Sequence, residues 1–245
     1  HLLTPKLLLR YAPGHMRDLD KEKSFNYSNL FDINKMNEID VIESGLSASL
    51  GFEYKKSDLK EDGTQGNTKF SFAAGQVISE KENSDIPSST SLDQRFSDVV
   101  GKSKLHIGNN TTFNYNFAID QNYKDINFNE IDGNFVFGNS SFNINYLEKK
   151  NHIGEEEHLR SDIDIAINES NKFSLSTKRN LLTNSAEFYN LSYEYINDCL
   201  KAGIVFRREF YTDRDIEPDN SVMFTISILP FGNLNSPSFS RWEKN

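Results

Sequence analysis

The sequence is short of several features that other fold classes depend on. It has one cysteine, six prolines and one tryptophan in 245 residues, so Cys199 has no partner for a disulfide within the chain. The scarcity of proline leaves room for long strands, because proline cannot donate to a β-ladder. No run of about 18 apolar residues occurs, which excludes a transmembrane helix. The mean hydropathy of −0.62 does not exclude a membrane β-barrel, in which only one face of each strand meets lipid.

Charge and motif content exclude other classes of function. The net charge of −9 provides no basic surface for nucleic acid, so no nucleic-acid partner is expected. The five histidines lack the H-x-x-x-H and H-E-x-x-H spacings of metal sites. No G-x-S-x-G motif or phosphate-binding glycine loop occurs. We therefore predict neither an enzyme nor a metal or cofactor site.

The clearest pattern in the chain is the alternation near its C-terminus. Residues 187–195, 200–211 and 221–229 alternate apolar and polar side chains with a period of two, which predicts strands. In the last segment Val222, Phe224, Ile226 and Ile228 share one face, while Met223, Thr225 and Ser227 lie on the other. Such strands require an apolar medium on one side and a wet space on the other.

The same alternation recurs upstream and predicts about twelve strands. They cover residues 2–11, 41–54, 70–78, 98–108, 111–120, 127–137, 141–147, 159–167, 172–179, 187–195, 200–211 and 221–229. The connections at 12–40 and 79–96 are long and fall on one end of the sheet, whereas 109–110 and 139–140 are tight turns on the other end. This asymmetry favours an antiparallel outer-membrane β-barrel with long extracellular loops. The alternative is a soluble antiparallel meander or solenoid.

Several stretches resemble one known family. Residues 3–14, 29–45, 193–200, 207–219 and 224–232 resemble the strands, long extracellular segment, cysteine-bearing turn and closing strand of the LptD/OstA family. Members of this family assemble lipopolysaccharide in the outer membrane of Gram-negative bacteria. The resemblance spans most of the chain and is strongest at its C-terminal end.

The resemblance implies a fold, a function and partners. Residues 1–232 are expected to form the C-terminal part of a transmembrane β-barrel of about 26 strands, and 233–245 a C-terminal tail. The chain is then a fragment or a truncated product, because an isolated part of a barrel leaves unpaired edges in lipid. The family inserts lipopolysaccharide into the outer leaflet through a lateral gate. Its partners are an LptE-like lipoprotein plug, an LptA-like periplasmic bridge that binds the N-terminal domain absent here, and outer-membrane lipid.

Two sets of site residues follow from the resemblance. Cys199 is expected to form a disulfide with the absent periplasmic domain, and the alternative is a lone thiol. The strand residues Val222, Met223, Phe224, Thr225, Ile226, Ser227 and Ile228 are expected to form one lip of the lateral gate. The alternative is an ordinary terminal strand that closes the barrel, and the apolar pattern is the same in both cases.

A cluster of charges is the third candidate site. Arg207, Arg208 and Arg214 are possible contacts for lipopolysaccharide phosphates or for the lumen, because guanidinium groups bind phosphate well. The alternative is a solvated loop whose charges pair with neighbouring acids such as Glu209 and Asp213.

Two rival functions stay open from the sequence. A passive outer-membrane porin has the same fold without a gate. A secreted β-rich adhesin or binding module belongs to a different class, and it predicts a protein that is soluble without detergent.

Overall fold

The computed structural model describes residues 1–16, 24–36, 43–59, 65–210, 220–228 and 232–235. These residues form thirteen β-strands and two 3₁₀ turns, Ser88–Thr90 and Asn151–Ile153. The strands are β1 Leu2–Ala12, β2 Gly45–Leu59, β3 Gln65–Ser79, β4 Val99–Ile107, β5 Thr111–Ile119, β6 Ile126–Phe137, β7 Ser140–Lys149, β8 Glu156–Ala166, β9 Asn171–Asn180, β10 Ser185–Ile196, β11 Leu200–Glu209, β12 Asn220–Ile228 and β13 Gly232–Asn235. Within the described ranges, neither helical turn has the length and apolar character needed to cross a membrane.

The strands form one sheet in the order in which they occur in the sequence, from β1 to β13. The predicted all-β antiparallel class and all twelve predicted strands are confirmed, with boundaries that differ by a few residues. The strand predicted at 41–54 begins at Gly45 and continues to Leu59, and residues 41–42 lie outside the described residues. The short strand β13 is additional, while the division of the chain at residue 232 and the strand number of a complete barrel stay predictions.

Tight turns join the strands at one end of the sheet, as predicted. Gly108 and Gly138 have φ values of +60° and +59° in the turns that follow β4 and β6. These values lie in the left-handed region that glycine adopts without steric cost. The chain can therefore reverse direction within two or three residues at these points.

The chain divides into two compact units. The first unit contains residues 1–133 and 146–157, and the second contains 134–145 and 158–245. The buried hydrophobic cluster belongs to the first unit, where Leu30 and Met36 pack with Val77, Val100 and Ala118. Residues 24–36 belong to a connection and not to a strand. The cluster therefore forms where this connection packs onto the sheet.

Candidate functional site

The second unit exposes a continuous apolar face. Ile204 pairs with Phe224, Ala202 pairs with Ile226, and Tyr193 continues the row opposite Ile204. Phe224 is 59% exposed, Ile226 51% and Ile204 38%, so none of them points into a sealed protein core. The apolar face of the second unit comprises Tyr189, Leu191, Tyr193, Ile204, Phe206, Val222, Phe224, Ile226 and Ile228. A contiguous apolar surface of this kind marks contact with a membrane or a partner.

The opposite face of the second unit carries paired charges. The ammonium of Lys172 lies 3.1 Å from a carboxylate oxygen of Asp164, and that of Lys201 lies 3.0 Å from Glu194. The hydroxyl of Ser174 donates a hydrogen bond to Asp164. Because these groups are partly exposed and ionised, this polar face is suited to water.

The first unit has the same two-faced organisation. Its exposed apolar face comprises Leu3, Leu7, Leu9, Tyr11, Leu46, Leu50, Phe52 and Leu105. Its polar face contains small and charged side chains, and residues 24–36 pack against that face. The long connection predicted at 12–40 therefore covers part of the sheet in its described portion, instead of extending away from it.

Glycines on the strands allow this close approach. A Cβ atom on Gly75 would lie 2.5 Å from Cδ2 of Leu30 and 2.5 Å from the carbonyl oxygen of Leu50. A Cβ atom on Gly51 would lie 3.0 Å from Cζ of Phe31. Gly51 and Gly75 are cross-strand partners, so the two positions form a shallow groove that a side chain would fill.

A buried group of three charges fixes the covering segment. Nη1 of Arg10 donates to Oε2 of Glu43 at 2.9 Å, and Nη2 donates to the carbonyl oxygen of Glu43. The backbone N–H of Lys35 donates to Oε1 of Glu43 at 3.0 Å, and Asn29 donates from its side-chain amide to the Lys35 carbonyl. Burial lowers the pKa of Lys35, while the nearby Glu43 carboxylate opposes that shift. Glu43 thus joins β1 to the segment that lies over the sheet.

The predicted gate strand, β12, has two different edges. One edge pairs with β11 along its whole length, from Leu200 to Arg208. On the other edge, the described residues of β13 pair with residues 225–228. Val222, Met223 and Phe224 have no β13 partner among the described residues. An edge with unpaired main-chain groups is available to another strand, and the gate role of β12 stays a prediction.

Cys199 lies in the turn between β10 and β11 and is exposed. The side-chain oxygen of Asn197 accepts hydrogen bonds from the backbone N–H groups of Cys199 at 3.0 Å and Leu200 at 2.7 Å. This Asx-type turn holds the thiol at the surface. The chain contains no second cysteine, so the disulfide with another domain stays a prediction.

The three candidate arginines do not form one group. Nε of Arg207 lies 2.5 Å from Glu209 on the polar side. Arg208 lies on the opposite side, where its guanidinium is 4.6 Å from the ring centroid of Phe210. Arg214 lies outside the described residues. A shared phosphate contact by Arg207 and Arg208 would need ligand on both faces of the strand.

Sequence reasoning missed the buried charges of the first unit. Arg10 and Glu43 are 33 residues apart, and no spacing rule connects two isolated charges at that distance. A weaker signal was present, because the connection at 12–40 contains several large apolar residues, among them Phe25, Leu30 and Met36. Apolar residues in a long loop indicate that the loop packs against the rest of the fold.

No group of three or more His, Cys, Asp or Glu side chains that could hold a metal ion occurs in the described part of the chain.

Comparisons with known proteins give one family. The family model described as LptD, LPS transport system D, matches residues 1–197. No curated protein matches the chain. Among solved structures, the chain is similar to a triple mutant of the Rhodopseudomonas blastica porin, with 7% identity and a TM-score of 0.34. That similarity covers 80% of this chain and 90% of the porin chain.

Proposed function

Because the chain belongs to the LptD family of lipopolysaccharide transport proteins, we propose that it is the barrel part of an outer-membrane protein that inserts lipopolysaccharide into the outer leaflet. One observation supports this proposal beyond the family. In each unit, one face of the sheet exposes apolar side chains and the opposite face carries charged side chains. Outward apolar and inward polar side chains are the arrangement of a transmembrane β-barrel. The site of action is then the outer membrane of a Gram-negative cell.

The two faces match the two parts of the substrate. Acyl chains are stable only in an apolar medium, and transferring them through water costs about 0.8 kcal/mol for each CH₂ group. The phosphorylated sugars need water or polar partners instead. An opening in the wall of the barrel satisfies both needs at once, because the chains can leave sideways while the sugars stay in the lumen.

The strand β12 is proposed as one lip of that lateral gate. In the part of the chain that the structure describes, it pairs with β11 over its full length but with β13 over residues 225–228 alone. A lip needs a seam that can part, and a seam with few main-chain hydrogen bonds opens at lower cost than a complete ladder. The residues assigned to the lip are 222–228.

The proposal includes partners that lie outside this chain. A lipoprotein of the LptE type fills the lumen, and an LptA-type periplasmic bridge delivers lipopolysaccharide to the preceding domain. Cys199 is proposed to form a disulfide with that domain. Its exposure in a turn gives it access to a second thiol, and the periplasm is oxidising.

A reversible lock tests the gate. In the complete protein, Met223→Cys, in the part of β12 that β13 leaves unpaired among the described residues, is paired with a cysteine on the first barrel strand, and surface lipopolysaccharide is measured before and after reduction. We expect the oxidised lock to stop delivery, because the seam can no longer part. Reduction should restore delivery.

A second lock serves as the control. Val205→Cys with Met223→Cys joins two residues that are already cross-strand partners, so this lock fastens a ladder that is complete. It should leave delivery unchanged. Normal delivery with the gate lock oxidised would overturn the lateral exit.

A further inference from the structure

Three lysines surround a trough on the polar face of the first unit. Lys55 of β2 pairs with Ser71 of β3, which pairs with Lys104 of β4. In the next row on the same face, Ala73 pairs with Lys102. Strands lie about 4.8 Å apart, so Lys55 and Lys104 stand about 10 Å apart at their Cα atoms. The small side chains of Ser71 and Ala73 form the floor between them.

The trough has the size and lining of a saccharide site. Its volume is about 470 Å³, which is within the usual range for small-ligand sites. The side chains of Asn114 and Asn116 line it beside the lysines. An amide side chain both donates and accepts hydrogen bonds, as a sugar hydroxyl does.

The charges of the trough run against those of the whole chain. The chain carries a net charge of −9, whereas the lining contains three lysines and two acids, Glu53 and Asp132. Glu53 already lies 2.6 Å from Lys6 and 3.5 Å from Lys55. The ammonium groups of the β4 lysines are therefore the main cationic feature of the lining.

Lys102 is also held in position by the covering segment. Its ammonium lies 5.2 Å from the ring centroid of Tyr27, and a cation in that position is attracted to the ring. The hydroxyl of Tyr27 donates to Glu53 at 3.4 Å. Tyr27 thus limits how far the ammonium of Lys102 can swing.

We propose that this trough binds the phosphate groups of a phosphorylated saccharide, with Lys102 and Lys104 as the principal phosphate contacts and Lys55 as the third cation. The proposal rests on the proposed function, because the sugar part of the transported glycolipid is the phosphorylated saccharide that reaches this face. Lysine ammonium groups bind phosphate as point charges. The Asn114 amide and the side-chain oxygen of Asn116, whose amide nitrogen already donates to Glu130 at 2.9 Å, then contact sugar hydroxyls and distinguish a saccharide from a free anion.

Direct binding to the complete protein in detergent micelles tests the trough. The probes are the phosphorylated core oligosaccharide released from lipopolysaccharide, its dephosphorylated form and inorganic phosphate, each titrated by calorimetry. We expect Lys102→Gln with Lys104→Gln to weaken binding of the phosphorylated probe about tenfold or more, since charge-assisted hydrogen bonds are lost. Binding of the dephosphorylated probe should be weaker and equal in both proteins.

The matched control removes two lysines from the other polar face. Lys172→Gln with Lys201→Gln deletes cations that are paired with Asp164 and Glu194, and it should leave the Kd unchanged. Circular dichroism checks that both variants keep the strand content of the parent.

Two results would overturn the inference. One is an unchanged Kd in the Lys102/Lys104 variant, and the other is inorganic phosphate that binds as tightly as the phosphorylated saccharide, which identifies a free-anion site. These results are separate from a failure of the proposed function, which the gate lock measures through surface lipopolysaccharide.

Discussion

Individual glycines have different roles in this sheet. A Cβ on Gly75 would meet both the Leu30 side chain and the Leu50 carbonyl oxygen at 2.5 Å. A Cβ on Gly203 would meet nothing closer than the Tyr193 carbonyl oxygen at 3.6 Å. The first position is therefore fixed by packing, whereas the second is a glycine whose neighbours leave room for a methyl group.

We predict that Gly75→Ala destabilises the protein and that Gly203→Ala does not. The added methyl group at position 75 has to displace backbone as well as Leu30, and overpacking of this kind costs about 1–3 kcal/mol. Urea unfolding in detergent measures the difference in free energy of unfolding. Equal stability of the two variants would mean that residues 24–36 do not rest on the sheet at Gly75.

The buried acid Glu43 is a second position at which a small change, from a carboxylate to an amide, is expected to alter stability. Its side chain is 6% exposed, and that of Arg10 is 7% exposed. Glu43→Gln leaves the Arg10 charge buried without its counter-charge, and breaking a buried pair in this way costs about 3–5 kcal/mol. We expect faster proteolysis within residues 24–36 and a lower free energy of unfolding.

The control for that change is an exposed pair. Lys149 and Glu156 are 33% and 40% exposed, so Glu156→Gln should alter stability by about 1 kcal/mol or less. If Glu43→Gln is as mild as Glu156→Gln, then the buried charges do not hold the segment.

At the scale of the elements, alternation predicted the strands but not the packing of the connections. Alternation with a period of two indicates a strand, and for this reason the observed bounds of β10 to β12 are close to the predicted ones. Residues 24–36 have no period, and their contacts with Gly51 and Gly75 depend on strand register that only the folded sheet provides. The cross-strand charge positions of the trough were missed for the same reason, since Lys55 and Lys104 become neighbours through β3.

Two connections are joined by a histidine–aspartate pair in the first unit. Nε2 of His152, in the 3₁₀ turn Asn151–Ile153, lies 3.1 Å from Oδ2 of the buried Asp98. The side-chain amide of Asn127 donates to the same oxygen at 2.8 Å. The interaction with Asp98 raises the pKa of His152, and the Asp93 and Asp120 carboxylates add to that shift.

This pair predicts a pH dependence with a definite sign. The pKa of His152 is raised in the folded state. The stabilisation of the folded state by protonated His152 is therefore complete below the unfolded pKa of about 6.5. That stabilisation is lost as pH rises through the folded pKa. Hydrogen exchange of residues 150–154 should therefore accelerate as pH increases through that range, once the intrinsic rate is corrected.

His152→Gln should remove that dependence, and His15→Gln, at an exposed position, should keep it. A slope that survives His152→Gln would assign the titration to another group.

At the scale of the whole molecule, the sheet has exposed apolar faces although few residues of the chain are hydrophobic. Only 36% of residues are hydrophobic, yet the large apolar side chains of β1, β2 and β10–β12 are on exposed faces. Water-soluble monomers rarely expose contiguous apolar surfaces of this kind. The exposed apolar surface is thus the reason to expect hydrocarbon outside these strands under the proposed function, and it favours that function over a secreted binding module.

Neighbouring positions on β12 give the sharpest test of this expectation. Phe224, the middle residue of β12, is 59% exposed on the apolar face, and Thr225 lies on the polar face of the same strand. In lipid vesicles, Phe224→Arg should cost about 2–4 kcal/mol of folding free energy, the penalty for arginine on the lipid side near the bilayer midplane. Thr225→Arg should cost far less, because its guanidinium reaches water in the lumen. Urea titration of both variants in the same vesicles measures the difference, and equal costs would mean that the exposed face of β12 does not meet lipid.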